Sequence, residues 1–243
     1  MTDKITLYSF IGEKGWEELR SKGALIHNGD YGDDIFVSAY EWMAAKKWPG
    51  ARILWGWAHR FPAHALQRMN DPKQPTIKEV LVTLQKAPAD TLLSNFYCWE
   101  NIMAVSHLCR DMEAKELKML YQVFQAAEWQ EVQEEYQQDL TDLFTKVGPD
   151  EEDAIQGAFL EISNKDILDV QLVELDQKKR CQLLNEHLKA HPKFDPGLMV
   201  WDHVPLYMSE DDELNSKIDD LADNWAEQNQ MAGVTLTSIW ETN

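Results

Sequence analysis

The chain has 243 residues, 44% of them hydrophobic and 27% charged, with 10 Trp, a composition that allows a sizeable buried core and excludes a disordered class. Its formal net charge of -19 is unevenly spread: residues 1–110 hold 13 Lys+Arg against 12 Asp+Glu, and residues 111–243 hold 10 against 30. Binding to a phosphate backbone is driven by cations, so no direct nucleic-acid partner is expected, Arg52, Arg60 and Arg68 being the local exceptions.

In chain order, Ile5 to Phe10 alternates apolar and polar residues and predicts a first strand. Glu13 to Lys22, with Trp16 and Leu19 three apart, predicts a short helix that Gly23 ends. Asn28 to Gly32 reads as a turn, and a second helix runs from a cap at Asp33 or Asp34 to about Lys47, where Pro49-Gly50 stops it. Ala51 to Arg60 is an apolar strand in which Ile53, Trp55 and Trp57 share one face, because successive strand side chains alternate. Gly56 between the two indoles permits close approach of another backbone or of a ligand. Phe61 to Pro75 reads as a loop with three prolines, Ile77 to Leu84 as a strand, and Thr91 to Phe96 as the lead into a helix from about Tyr97 to Arg110.

From Glu113 to Phe144 the apolar residues recur at three and four, which suits one long helix or two stacked ones. Ile155 to Ile162 and Ile167 to Leu175 read as two strands joined at Asn164. Beyond Asp176 come a helix from Lys178 to Ala190, a Pro-interrupted segment from His191 to Pro205, a helix from about Glu210 to Gln230 capped by Ser209, and a last strand from Val234 to Trp240. Strands and helices mix without strict alternation, so the expected class is α+β, a mixed sheet with flanking helices. The expected division is a core domain over residues 1–175 and an acidic, mainly helical extension over 176–243 packed on it.

No stretch is apolar for the length of a membrane span, and Met-Thr-Asp-Lys does not open a signal peptide, which together predict a cytoplasmic protein with no membrane partner. Cys98, Cys109 and Cys181 have no CxxC spacing and suit a reducing compartment as inert thiols. His187 and His191 are four apart but lack an acidic third ligand, so no metal site is predicted. No phosphate loop motif is present, and no cofactor is named by the sequence.

Four motifs in order carry a resemblance: Tyr40-Glu41-Trp42-Met43, Leu54-Trp55-Gly56-Trp57, Leu92-Leu93-Ser94-Asn95-Phe96 with Trp99, and Ile155 to Ile162. Over about residues 5 to 175 the chain resembles family 3841 among the domains of unknown function, which implies an intracellular bacterial or phage protein and no particular activity. It departs from that family's pattern at Asn95, where an Asp follows the Ser, and at Glu100, where a His follows the Trp. The opening strand with Tyr8, short helix and Gly turn also resemble ADP-ribosyltransferase folds, in which a late strand presents a Glu.

Those motifs concentrate His59, Arg60, Ser94, Asn95, Gln156 and Glu161 beside Trp55 and Trp57. If their strand ends converge, Arg60 meets an anionic group, Ser94 and Asn95 hydrogen-bond, the indoles stack, and Glu161 serves as catalytic base or ribose partner, with His59 alongside, in a pocket for a nucleotide-like small molecule. The structural alternatives are a helix cap at Ser94-Asn95, core packing for Trp55 and Trp57, and solvent-facing strand positions for Gln156 and Glu161, which lie on opposite faces of a continuous strand. The acidic half has two readings of its own: a solvated face, or a surface that occupies the basic groove of a nucleic-acid-binding protein.

Overall fold

The computed structural model describes residues 4–27, 37–67, 75–101, 137–151, 154–190 and 212–240. Within these, β1 (Ile5–Ile11) buries every second residue, as its alternation predicts. Helix α1 (Glu13–Lys22) buries Leu19 and stops where the Gly23 amide donates to the Leu19 carbonyl at 2.9 Å. Gly23 sits at φ 75°, the left-handed conformation that only glycine adopts without strain. It turns the chain into β2 (Ala24–Ile26), a strand too short to show a sequence period.

Helix α2 (Val37–Ala45), β3 (Leu54–Ala58), α3 (Ala63–Gln67) and β4 (Thr76–Lys86) follow. Helix α3 lies inside the stretch expected as loop. After a 3-10 turn at Pro88–Asp90, Leu92–Asn95 forms β5 rather than a mere lead-in to the helix that occupies residues 96–101. A further helix covers residues 137–142. The expected single strand from Ile155 to Ile162 is two, β6 (Ile155–Phe159) and β7 (Glu161–Ser163), separated at Leu160. A 3-10 turn at Asn164–Asp166 leads into β8 (Ile167–Asp176), followed by helices Gln177–Ala190 and Asp212–Gln228 and by β9 (Val234–Ser238). The caps expected at Asp33, Asp34 and Ser209, the turn at Asn28 to Gly32, and the segment His191 to Pro205 lie outside the described residues. So do the helical stretches expected between residues 102 and 136.

The fold is α+β. Seven strands form one sheet in the order β5-β6-β3-β1-β4-β8-β9, and β2 pairs with β7 in a second, two-stranded sheet. Antiparallel register fixes which side chains share a face: Tyr8 lies opposite Trp57, Trp57 opposite Gln156, and Gln156 opposite Ser94. On the other face Gly56 and Gly157 lie directly opposite each other. A Cβ on Gly56 would stand 3.2 Å from the Tyr8 carbonyl oxygen, and one on Gly157 only 2.7 Å from Leu7 Cδ2. These glycines therefore admit close backbone and side-chain packing inside the sheet.

The chain divides into two units, one made of residues 1–9, 15–61 and 83–168 and the other of residues 10–14, 62–82 and 169–243. This division does not follow the expected boundary at residue 175. Long strands pair segments remote in sequence, and β9 joins the main sheet through its ladder with β8, Val173 opposite Leu236. The first unit has an aromatic core in which Trp99 and Met43 are buried, with Trp55 and Trp99 stacked at 6.0 Å and Trp42 and Trp99 at 6.4 Å. Each such ring removes roughly 150–250 Å² from water, worth about 4–6 kcal/mol at the usual area coefficient. In the second unit Leu184, Leu188 and Trp225 form the apolar seam between the two C-terminal helices.

Candidate functional site

A cavity of about 580 Å³ opens in the first unit, lined by Ile26, His27, Trp48, Ala51, Arg52, Lys86, Asp90, Leu160, Glu161, Lys165 and Asp166. Its walls come from short elements whose positions follow from local sequence. Gly23 turns the chain so that β2 lies against β7, with Ile26 opposite Glu161. Leu160 breaks the β6 direction, so the carboxylate of Glu161 no longer obeys the face alternation of a continuous strand. Helix α2 ends at Ala45 in a turn in which the Trp48 amide donates to the Ala44 carbonyl at 2.7 Å, and Pro49-Gly50 leads on to Arg52 ahead of β3. The ammonium of Lys47 donates to the carbonyls of Pro88 at 3.1 Å and Thr91 at 2.7 Å, which ties the turn carrying Asp90 to the end of α2.

Three cations and three carboxylates share this hollow, but they are not equivalent. Lys86 and Asp166 form a pair at 2.7 Å with side chains only 6% and 15% exposed, and the Lys86 ammonium also lies 5.7 Å above the Phe159 ring. That charge is neutralised inside the protein. Arg52 reaches Glu41 at 3.4 Å, a looser pair whose members are 29% and 58% exposed and which is worth little in water. Lys165 is exposed and makes no ion pair among the described residues. Beside the Lys86–Asp166 pair, Arg52 and Lys165 stand with Glu161 and Asp90, two charges of each sign, so the hollow sets cationic donors next to carboxylate acceptors, with the half-buried Trp48 as a flat apolar wall.

Of the residues expected to form a site, Glu161 alone lines this cavity. The others are engaged elsewhere in the same unit. Trp55 packs against Trp99 and Tyr40 as part of the aromatic core, and the half-buried Trp57 meets Phe96 at 4.7 Å in a T-shaped contact. Asn95 caps the helix that follows, its Oδ1 accepting from the amides of Tyr97 at 3.0 Å and Cys98 at 3.2 Å. His59 adopts φ 67°, a strained conformation for a residue with a Cβ, and its Nε2 lies 3.3 Å from the Val147 carbonyl. Arg60 donates to the Pro149 carbonyl at 3.2 Å. These two side chains thus hold the loop at residues 147–149.

Ser94 and Gln156 stand opposite each other on neighbouring strands, 0% and 7% exposed. Ser94 Oγ and Gln156 Nε2 have no hydrogen-bond partner among the described residues, which costs roughly 1–3 kcal/mol per group if left so.

Sequence reasoning missed Trp48, Lys86, Lys165 and Asp166. One signal was available: Lys86 continues the register of Val80, Val82 and Leu84, so a lysine is placed on the buried face of a strand. A buried lysine requires a carboxylate nearby, and Asp166 supplies it across 80 residues of sequence. Comparison with protein-family models, with curated proteins and with solved structures gives no match.

Proposed function

We propose that the chain binds a small nucleotide-like molecule in the cavity around Glu161. The observation that carries this reading is the convergence of Arg52, Lys165, Glu161 and Trp48 on one hollow of about 580 Å³, within the size range of small-molecule sites. In this reading Arg52 and Lys165 meet the anionic group, Trp48 covers a planar ring, and Glu161 accepts hydrogen bonds from hydroxyl or amino groups. The resemblance to family 3841 belongs to the same proposal, as does a cytoplasmic setting. This reading moves the site from the tryptophan strand to the cavity at Glu161, since Trp55 packs on the aromatic core and neither Trp55 nor Trp57 lines the cavity.

A thermal-shift screen of mononucleotides, dinucleotides and their phosphate-free fragments tests it. A ligand present at about 100 times its Kd stabilises by about 2.7 kcal/mol, which for a chain of this size raises the melting midpoint by roughly 5–10 °C. No shift with any phosphate-bearing compound overturns the reading. A second reading is favoured by the outer face of helix Asp212–Gln228, where Asp220, Asp223 and Glu227 are exposed. Such a face steers a basic protein toward the chain. Capture of a basic partner at low salt that survives charge reversal of these three acids would refute it.

A further inference from the structure

We infer that the chain associates with a second copy of itself through the outer edge of β9, which no described strand covers, the two β9 strands pairing antiparallel about a two-fold axis at Leu236. β9 is the outermost strand of the seven-stranded sheet, and its hydrogen bonding toward β8 shows which groups remain. The Asp176 amide donates to Gly233 at 2.9 Å and the Ile239 amide to Val170 at 2.8 Å. In the antiparallel register given by Val173 opposite Leu236, residues 235 and 237 therefore bond inward, and Val234, Leu236 and Ser238 direct their amides and carbonyls outward. The Val234 amide is taken by Met231 at 3.1 Å. The Leu236 and Ser238 amides and the Val234, Leu236 and Ser238 carbonyls have no partner among the described residues.

Exposed edges of this kind are ordinarily blunted by a lysine, a proline, a bulge or an inward charge. β9 has none of these: it reads Val-Thr-Leu-Thr-Ser. Residues 228–240 carry no charged side chain at all, the longest such run in a chain of net charge -19. That run selects the occupant. A second copy approaching almost anywhere else on the acidic half meets like charge, whereas β9 against β9 brings none together. On β8, Glu174 is paired with Lys78, Asp169 accepts from the Ser238 hydroxyl at 3.0 Å, and Asp176 accepts from the Lys179 amide at 2.9 Å.

The geometry also fixes the register. With Leu236 opposite its symmetry mate, each Leu236 amide donates to the other Leu236 carbonyl, and each Ser238 amide donates to the partner copy's free carbonyl at position 234. The position 234 amide, held in its turn, is not required. Thr235 of one copy then lies opposite Thr237 of the other in a pair without mutual hydrogen bonds, with Cα atoms about 4.5 Å apart, a spacing a disulfide spans.

Sedimentation velocity over a concentration series, with two variants, tests the inference. The chain is expected to pass from 28.2 kDa to twice that mass as concentration rises. Ser238→Pro removes an outward amide that makes no bond to β8, along with the exposed hydroxyl contact to Asp169, so it should leave the melting midpoint within a few degrees and weaken association at least tenfold. Thr235→Cys/Thr237→Cys should give a disulfide-linked dimer on mild oxidation, with neither single variant doing so. A chain that stays monomeric at every concentration overturns the inference, as does a dimer indifferent to Ser238→Pro. A dimer that Ser238→Pro breaks but that the double cysteine does not link overturns the register at Leu236. Should the proline variant fail to fold, the cysteine pair decides alone.

Discussion

Removing Asp166 should cost more than removing Lys86, although the two form one pair. Lys86 is 6% exposed and Asp166 15%. Asp166→Asn therefore strands the ammonium in the drier position, beside the Phe159 ring and with little access to water. Breaking a buried pair by deleting one partner costs about 3–5 kcal/mol, and this variant belongs at that end. Lys86→Met leaves a carboxylate that the cavity can hydrate and replaces the lysine stem with an apolar chain of similar length, so a loss of about 1–3 kcal/mol is expected. The double variant should recover most of the loss, since a buried ion pair is commonly replaced by uncharged groups at little cost. Urea denaturation with a common m-value measures all three. Additive losses in the double variant, or Lys86→Met the more damaging single change, would refute the reasoning that burial of the stranded charge sets the cost.

Other consequences follow from particular contacts. Gly157→Ala places a methyl 2.7 Å from Leu7 Cδ2 and 3.1 Å from Thr91 Cγ2, and should destabilise by about 1–3 kcal/mol through overpacking. A raised denaturation midpoint would contradict the tight packing described between these strands. Asn95→Ala deprives two helix amides of their acceptor and should cost about 1–2 kcal/mol, read as a drop in the same midpoint; no drop would mean the cap is dispensable. Burial, with a smaller contribution from Glu13, holds the Glu79 carboxyl above its ordinary value. The folded chain therefore binds this proton more tightly than the unfolded chain, and stability falls as pH rises from the ordinary Glu value through the folded one. Glu79→Gln should remove that fall, seen as a stability difference from wild type that grows across this window; a constant difference would contradict it.

Much of the fold was legible because its elements carry strong local patterns. The alternation of β1, the Trp16 and Leu19 spacing with Gly23 behind it, and the uncharged alternation of β9 each name an element without reference to the rest of the chain. β2 and β5 were not legible. Three or four residues show no period, and Leu92 to Asn95 becomes a strand only because β6 lies beside it. The site was harder for the same reason. Face alternation between Gln156 and Glu161 assumes a continuous strand, and the break at Leu160 voids that assumption. Trp55 and Trp57 are equally consistent with stacking a ligand and with filling a core until Trp99, Tyr40 and Phe96 are seen against them. Lys86 was the readable clue, a cation in an apolar register.

Isothermal titration of the most stabilising phosphate-bearing nucleotide into wild type and into Arg52→Ala/Lys165→Ala tests the central claim most directly. Each charge-assisted contact is worth about 1.5–3 kcal/mol, so the double variant should bind at least 100-fold more weakly while its melting midpoint stays near that of the wild type. Unchanged affinity in the double variant would contradict the assignment of this cavity as the ligand site.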